Sequence, residues 1–173
     1  MSSPYVRPID AVARGALAGA VGTLAMDLVW FRRFKRDGGH TSFPVWEFSI
    51  EPDWDKVSAP GQVGRRVVEG FLQRPLDPKW APLTNNVMHW GYGVVWGAQF
   101  GIVAGSLRRR HVGLGLALGP AVWASSYVVL PLAKLYKPIW QYDAKTLAKD
   151  LSAHLAYGIG TAAAFRLLTL RRS

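Results

Sequence analysis

Residues 112–132 read VGLGLALGPAVWASSYVVLPL, a run without a single charged side chain. As a helix, a stretch of about 20 apolar residues is about 30 Å long, which is enough to cross the hydrocarbon core of a bilayer. A helix on the surface of a soluble protein would instead show polar residues at every third or fourth position. This stretch therefore predicts a transmembrane helix.

Three further windows of similar length are almost free of charge, and charged residues gather at their ends. The four windows are 12–31, 86–107, 112–132 and 147–168. Together they predict that the whole chain, 1–173, is one all-α membrane domain. We expect an integral membrane four-helix bundle with four antiparallel transmembrane helices.

The long insert at 32–84 is not apolar enough to span a bilayer, and it is rich in tryptophan and phenylalanine. Aromatic side chains of this kind concentrate at the membrane–water interface. Within the insert, residues 60–74 place valine, phenylalanine and leucine on one side of a helix and arginine and glutamate away from that side. We expect an amphipathic interfacial helix there, which lies in the membrane plane or covers one end of the bundle.

The chain has a net charge of +10 and no cysteine. Its basic residues cluster at the ends of the apolar windows, at 32–36, 108–110 and 166–172. This distribution is typical of contacts with lipid headgroups, and no nucleic-acid-binding motif accompanies it. We therefore expect the lipid bilayer, and not nucleic acid, as a partner. A chain without cysteine excludes disulfides, thiolate metal sites and thiol catalysis.

Glycines recur at a spacing of four along three of the predicted helices. The spacing puts them on one face of each helix, as in a glycine zipper, where a second helix can approach closely. The sequence leaves open whether that helix belongs to the same chain, to a second copy in a homo-oligomer or to another membrane protein. The expected packing positions are Gly15, Gly19, Gly93, Gly97, Gly101, Gly105, Gly115 and Gly119.

The strings His89-Trp-Gly-Tyr92-Gly93 and His154-Leu-Ala-Tyr157-Gly158 share one pattern and lie in the second and fourth windows. Ionisable residues inside a membrane helix are costly, so they point to a function. In an antiparallel bundle, the starts of these helices meet the ends of the first and third helices at one membrane face. The polar pocket predicted at this face contains Asp27, Asn86, His89, Tyr92, Asp150, His154 and Tyr157.

Three chemical roles suit such a pocket. The polar groups can simply satisfy one another, because buried polar groups in lipid need partners. Carboxylates beside histidines favour a proton-responsive site for transport or acid adaptation, formed by Asp27, Asp150, His89 and His154. The two histidines, on different helices, could instead hold haem b or a divalent metal in a membrane redox subunit.

A further alternative is a structural membrane subunit that packs against a partner through the glycine stripe. The sequence contains no serine-hydrolase elbow, zinc-protease motif or phosphate-binding loop. We therefore favour a protein that is not an enzyme, and we assign no catalytic residue.

The C-terminal half carries a Gly-x-x-x-Gly pattern, Pro131, the Pro138-Ile-Trp140 turn and the His154-Leu-Ala-Tyr157-Gly158 string. In these features, and in His89, the chain resembles the YagU-like family of small bacterial inner-membrane proteins. The insert at 32–84 differs from that family in length and content. The resemblance implies a multi-pass protein of the bacterial inner membrane with cytoplasmic termini. It further implies no established biochemical activity and a loose connection to survival in acid.

Overall fold

The computed structural model describes residues 7–49, 51–107 and 111–170. This part of the chain forms helices and contains no strand. The arginines at 108–110 and 171–172 lie outside it. The α-helices are α1 (Pro8–Arg36), α2 (Phe43–Phe48), α3 (Ala59–Leu72), α4 (Ala81–Ser106), α5 (His111–Leu132) and α6 (Ala144–Leu170).

The four long helices α1, α4, α5 and α6 contain the four windows that are poor in charge, so the predicted all-α class is confirmed. Two of them, over Pro8–Arg36 and Gly113–Leu132, are long and apolar enough to cross a membrane. The first halves of α4 and α6 carry the polar residues of the predicted pocket, which lowers their mean hydropathy. Length and composition therefore identify two candidate spans rather than the four predicted.

Helix α1 packs along α4 through glycines on both helices. A β-carbon added at Gly97 would lie under 3.0 Å from the backbone of Gly15 and of Gly19. A β-carbon at Gly101 would meet the backbone of α1, and one at Gly93 would meet the Thr23 side chain. Because two backbones can approach this closely only where side chains are absent, these glycines set the distance between the helices. This part of the stripe packs within the chain.

Helix α6 packs against α1 and also against α5. At the second contact, β-carbons added at Gly115 or Gly119 of α5 would collide with the α6 backbone near Gly158 and His154. Gly105, at the end of α4, is half-buried. Glycine-mediated contact thus joins α1 to α4 and α5 to α6, and Gly22 brings α1 equally close to the α6 backbone at Tyr157.

The spatial order of the long helices is α4, α1, α6, α5, and α4 and α5 barely touch each other. The hydroxyl oxygens of Tyr92 on α4 and Ser125 on α5 lie 3.0 Å apart and bridge this side. The bundle is therefore open along its α4–α5 side. The gap between α4 and α5 forms part of the cavity described below.

The predicted amphipathic helix is present as α3, over Ala59–Leu72 rather than 60–74. Its small residues Gly61 and Gly64 face α4, where a β-carbon would meet side chains of that helix. Its apolar side chains point largely away from the bundle, and Phe71 is 87% exposed. Helix α3 thus covers one end of the bundle while it leaves an apolar surface uncovered.

The short helix α2 is held at the end of α1 by an aromatic cluster. Phe31 and Phe34 of α1 contact Phe43 and Trp46 of α2, with ring centroids 5.3 to 6.1 Å apart. Such ring contacts stabilise beyond the area they bury. The cluster fixes the orientation of α2, and with it the position of Glu47, which follows Trp46.

Candidate polar cavity

A cavity of about 780 Å³ lies at one end of the bundle. Its walls come from the last halves of α1 and α5 and the first halves of α4 and α6, and residues of α2 and α3 cover it. This is the convergence that antiparallel helices produce at one face. All the polar residues predicted from the sequence line the cavity: Asp27, Asn86, His89, Tyr92, Asp150, His154 and Tyr157.

Asp27 on α1 and His89 on α4 form the central pair of the cavity. Asp27 Oδ1 lies 2.9 Å from His89 Nε2. Asp27 is only 3% exposed, and its second oxygen, Oδ2, has no hydrogen-bond partner among the described residues. A buried carboxylate oxygen that lacks a hydrogen bond is unfavourable, because it has lost its contacts with water. A proton donor or a cation beside Oδ2 would stabilise it.

Glu47 on α2 is a cavity residue that the sequence analysis misses. It is 8% exposed, and its Oε1 accepts a hydrogen bond from Trp90 Nε1 at 2.9 Å. Burial raises the pKa of this carboxyl above its ordinary value, and the nearby carboxylate of Asp27 raises it further. The only local signal is a lone acid in the aromatic string Phe43-Pro-Val-Trp-Glu-Phe48.

His154 has the same sequence pattern as His89 but a different environment. Its Nδ1 lies 2.9 Å from the backbone oxygen of Asp150 and 3.4 Å from the carboxylate of that residue, one turn earlier on α6. The partner of His89 comes from a different helix. Of these two histidine–aspartate pairs, the His89 pair joins two long helices, and the His154 pair lies within α6.

Arg33 and Lys149 bring positive charge to the rim of the cavity. The Arg33 guanidinium donates to the backbone oxygen of Lys149 at 2.8 Å and to Ser152 Oγ at 2.6 Å, and it stacks on the Trp30 ring. No Lys or Arg of the described residues forms an ion pair with Asp27 or with Glu47. The inner part of the cavity therefore holds two carboxylates beside one imidazole.

The remaining predicted polar residues brace the helices. Tyr157 Oη donates to the backbone oxygen of Gly93 at 2.7 Å, which joins α6 to α4 deep in the bundle. Asn86 Nδ2 donates to the Pro82 oxygen at 3.0 Å within α4. Some polar side chains of the predicted pocket therefore have hydrogen-bond partners within the protein. This agrees with the interpretation that the buried polar groups satisfy one another.

One group in the described part of the chain has the geometry to hold a metal ion. The ligand atoms of Asp27, Glu47 and His89 all lie within 4.8 Å of one another. This group includes one of the two histidines expected to bind haem b or a metal, and it takes Glu47 in place of His154. The imidazole of His89 is already engaged by Asp27.

No protein-family model, no curated protein and no solved structure matches this chain. The similarity to the YagU-like family consequently rests on the short strings quoted above. Any function must be argued from the cavity and from the surface of the helices.

Proposed function

We propose that this chain is a non-enzymatic, four-span protein of the bacterial inner membrane whose cavity takes up a small cation, in the simplest case a proton, for transport or acid adaptation. The observation that carries the proposal is the Asp27–His89 pair, in which a buried carboxylate lacks a partner for one oxygen. Membership of the YagU-like family is part of the same proposal.

The surface of the helices supports a lipid environment. Small residues dominate the contacts between the long helices, whereas large apolar side chains cover their outer faces. A soluble bundle has the opposite arrangement, because its large apolar side chains form the core. The exposed apolar residues include Leu17, Val21 and Leu28 on α1, Val95 and Ile102 on α4, Leu116 and Val128 on α5, and Ile159 and Leu167 on α6.

The lengths of α4 and α6 also support four spans. They contain 26 and 27 residues, which as helix corresponds to about 40 Å, more than the hydrocarbon thickness of about 30 Å. Their polar side chains line the cavity, where a membrane protein tolerates them. With cytoplasmic termini, as the resemblance implies, the cavity lies on the periplasmic side, where the protein would meet external acid.

The charges around the cavity support a cation as its occupant. Two carboxylates, Asp27 and Glu47, lie under a tenth exposed and have one imidazole between them. An uncompensated negative charge in a medium of low dielectric constant is strongly unfavourable, so the site favours a positive ion. The other titratable and charged groups that line the cavity are Arg33 on α1, Asp37 directly after α1, Tyr92 on α4, Tyr136 after α5, and Lys149, Asp150, His154 and Tyr157 on α6.

Proton uptake into proteoliposomes tests this proposal. The purified chain is reconstituted with a pH-sensitive dye inside the vesicles and a chelator on both sides, and an inward proton gradient is applied. We expect faster acidification than in empty vesicles, and we expect Asp27→Asn to abolish the difference. Asp55→Asn, a change of the same chemistry on the exposed insert, serves as the matched control. Equal rates for wild type and Asp27→Asn would contradict the proposal.

The two alternatives, a structural subunit that packs through its glycines and a haem-binding subunit, stay predictions. A partner protein or a second copy would need a face other than Gly93, Gly97 and Gly101, because these already contact α1. Haem b would need both His89 and His154 to turn away from their carboxylate neighbours.

A further inference from the structure

Three side chains from three separate elements meet in the inner part of the cavity: Asp27 from α1, Glu47 from α2 and His89 from α4. We propose that they bind one divalent transition-metal ion, of the zinc or manganese class. This inference rests on the proposed function, since it names the cation that the cavity takes up. It assigns Glu47 a role that no sequence motif indicates.

The distances are close to those that a metal ion requires. Bonds of about 2.1 Å at angles between about 90° and 110° separate two ligand atoms by about 3.0 to 3.4 Å. Asp27 Oδ1 and His89 Nε2 are 2.9 Å apart, and the most distant pair of the three ligand atoms is within 4.8 Å. In the proposed site the Glu47 carboxylate shifts toward Asp27 and His89 while its Oε1 keeps the hydrogen bond to Trp90.

The unpartnered oxygen of Asp27 is an independent indication of a ligand. Asp27 is 97% buried, and its Oδ2 has no hydrogen-bond partner among the described residues. Buried side-chain oxygens are almost always hydrogen-bonded or bound to an ion. A cation beside Asp27, or a water molecule on that cation, supplies the missing partner.

The surroundings hold the proposed ligands in place. Trp90 Nε1 donates to Glu47 Oε1 at 2.9 Å, and within the described part of the chain the other oxygen of Glu47 has no hydrogen bond that would keep it from an ion. Hydrogen bonds of this kind orient the carboxylate ligands of metal sites. Trp90 is also the residue after His89, so one turn of α4 carries one ligand and positions a second. The aromatic cluster of α1 and α2 anchors Glu47 from the other side.

The charge and the donor set indicate the class of ion. Two carboxylates and a neutral imidazole carry a charge of −2, which a divalent ion balances. Imidazole nitrogen is a ligand of zinc, iron, nickel and copper, and carboxylate oxygens also suit manganese. Magnesium keeps most of its water ligands and rarely takes an imidazole, so we expect it to bind more weakly. The three protein ligands leave coordination positions open toward the cavity.

Zinc titration of the detergent-purified full chain, stripped of metal by a chelator, tests the site by calorimetry. We expect one ion per chain and weaker binding of magnesium. Glu47→Gln and His89→Ala should each weaken zinc binding by at least about tenfold, the usual effect of disturbing a metal site. His154→Ala is the matched control, because it removes the histidine of the same motif from the same cavity and should leave zinc affinity unchanged.

The outcomes separate this inference from the proposed function. If wild type binds no stoichiometric zinc or manganese, or if His154→Ala weakens binding as much as His89→Ala does, the assigned site is wrong. The proton-uptake assay contains a chelator and so measures flux without bound metal. If that flux depends on Asp27 and the titration detects no bound zinc, the metal site is wrong and the proposed proton uptake stands. Glu47 lies outside the four long helices, so we expect Glu47→Gln to leave the fold intact. Thermal unfolding of the metal-free variant checks this, and its melting temperature should equal that of the metal-free wild type.

Discussion

The substitution Gly97→Ala tests whether α1 and α4 are in direct backbone contact at their glycines. In the structure, the added β-carbon of Gly97→Ala would lie under 3.0 Å from backbone atoms of Gly15 and Gly19. Backbone cannot rotate away as a side chain can, so the two helices must separate. Gly91, on the same helix, has nothing within 4 Å of an added β-carbon and provides the matched control.

The magnitude follows from two opposing effects. Overpacking a closely packed interface costs about 1 to 3 kcal/mol, and a rigid obstacle puts Gly97→Ala at the upper end. Alanine in place of glycine stabilises a helix by up to about 1 kcal/mol, an effect that both variants share. We therefore expect Gly97→Ala to lower the free energy of unfolding by about 2 kcal/mol. Gly91→Ala should leave it unchanged or raise it by up to about 1 kcal/mol.

Unfolding in mixed micelles with increasing sodium dodecyl sulfate gives these free energies, and the eight tryptophans of the chain provide the fluorescence signal. The comparison between the two alanine variants is decisive, because helix propensity cancels. If Gly97→Ala is as stable as Gly91→Ala, the α1–α4 contact is looser than the structure indicates. The argument that glycines set the helix spacing would then be refuted.

Three further predictions concern the remaining contacts. Tyr157→Phe removes the hydrogen bond to the Gly93 oxygen and should lower the free energy of unfolding by about 1 kcal/mol in the same titration; no change would mean that this bond is not formed. The backbone N–H of Leu76 and then the Arg65 side chain lower the pKa of Glu69, so its stabilising contribution is present above the ordinary pKa of glutamate and is lost as the pH falls. Glu69→Gln should therefore lower the melting temperature at pH 7 and have no effect in strong acid, whereas an equal loss at both values would count against an ionic contribution. The purified protein should show no Soret band, and a stoichiometric one would favour the haem alternative.

The fold follows from the sequence wherever the controlling signal is local. Windows poor in charge, with basic residues at their ends, mark the long helices, and the spacing of Gly15, Gly19, Gly93, Gly97 and Gly101 marks the faces that meet. These signals do not say which helices are neighbours. The open α4–α5 side depends on how three separate interfaces combine, so no single stretch of sequence encodes it.

The polar residues of the long helices could be predicted from the sequence for the same reason, but Glu47 could not. Asp27, His89 and His154 stand out because each interrupts an apolar helix. Glu47 lies in an insert with many other charged residues, where a carboxylate is ordinary. It becomes a cavity residue only through the ring contacts of α2 and through Trp90, which are long-range contacts.

The two histidines of the repeated motif differ in the helices to which their partners belong. His154 is paired with Asp150 of its own helix. His89 is paired with α1 across the α1–α4 interface, and Glu47 adds a third element to the same point. Any cation bound there is attracted by α1, α2 and α4 together, and its binding energy therefore stabilises their arrangement relative to the empty site. At the other end of the same interface the backbones of α1 and α4 are already in close contact at the glycines. Occupancy of the site is consequently expected to act on α2, which the ring contacts with α1 and the Glu47–Trp90 hydrogen bond hold against the bundle.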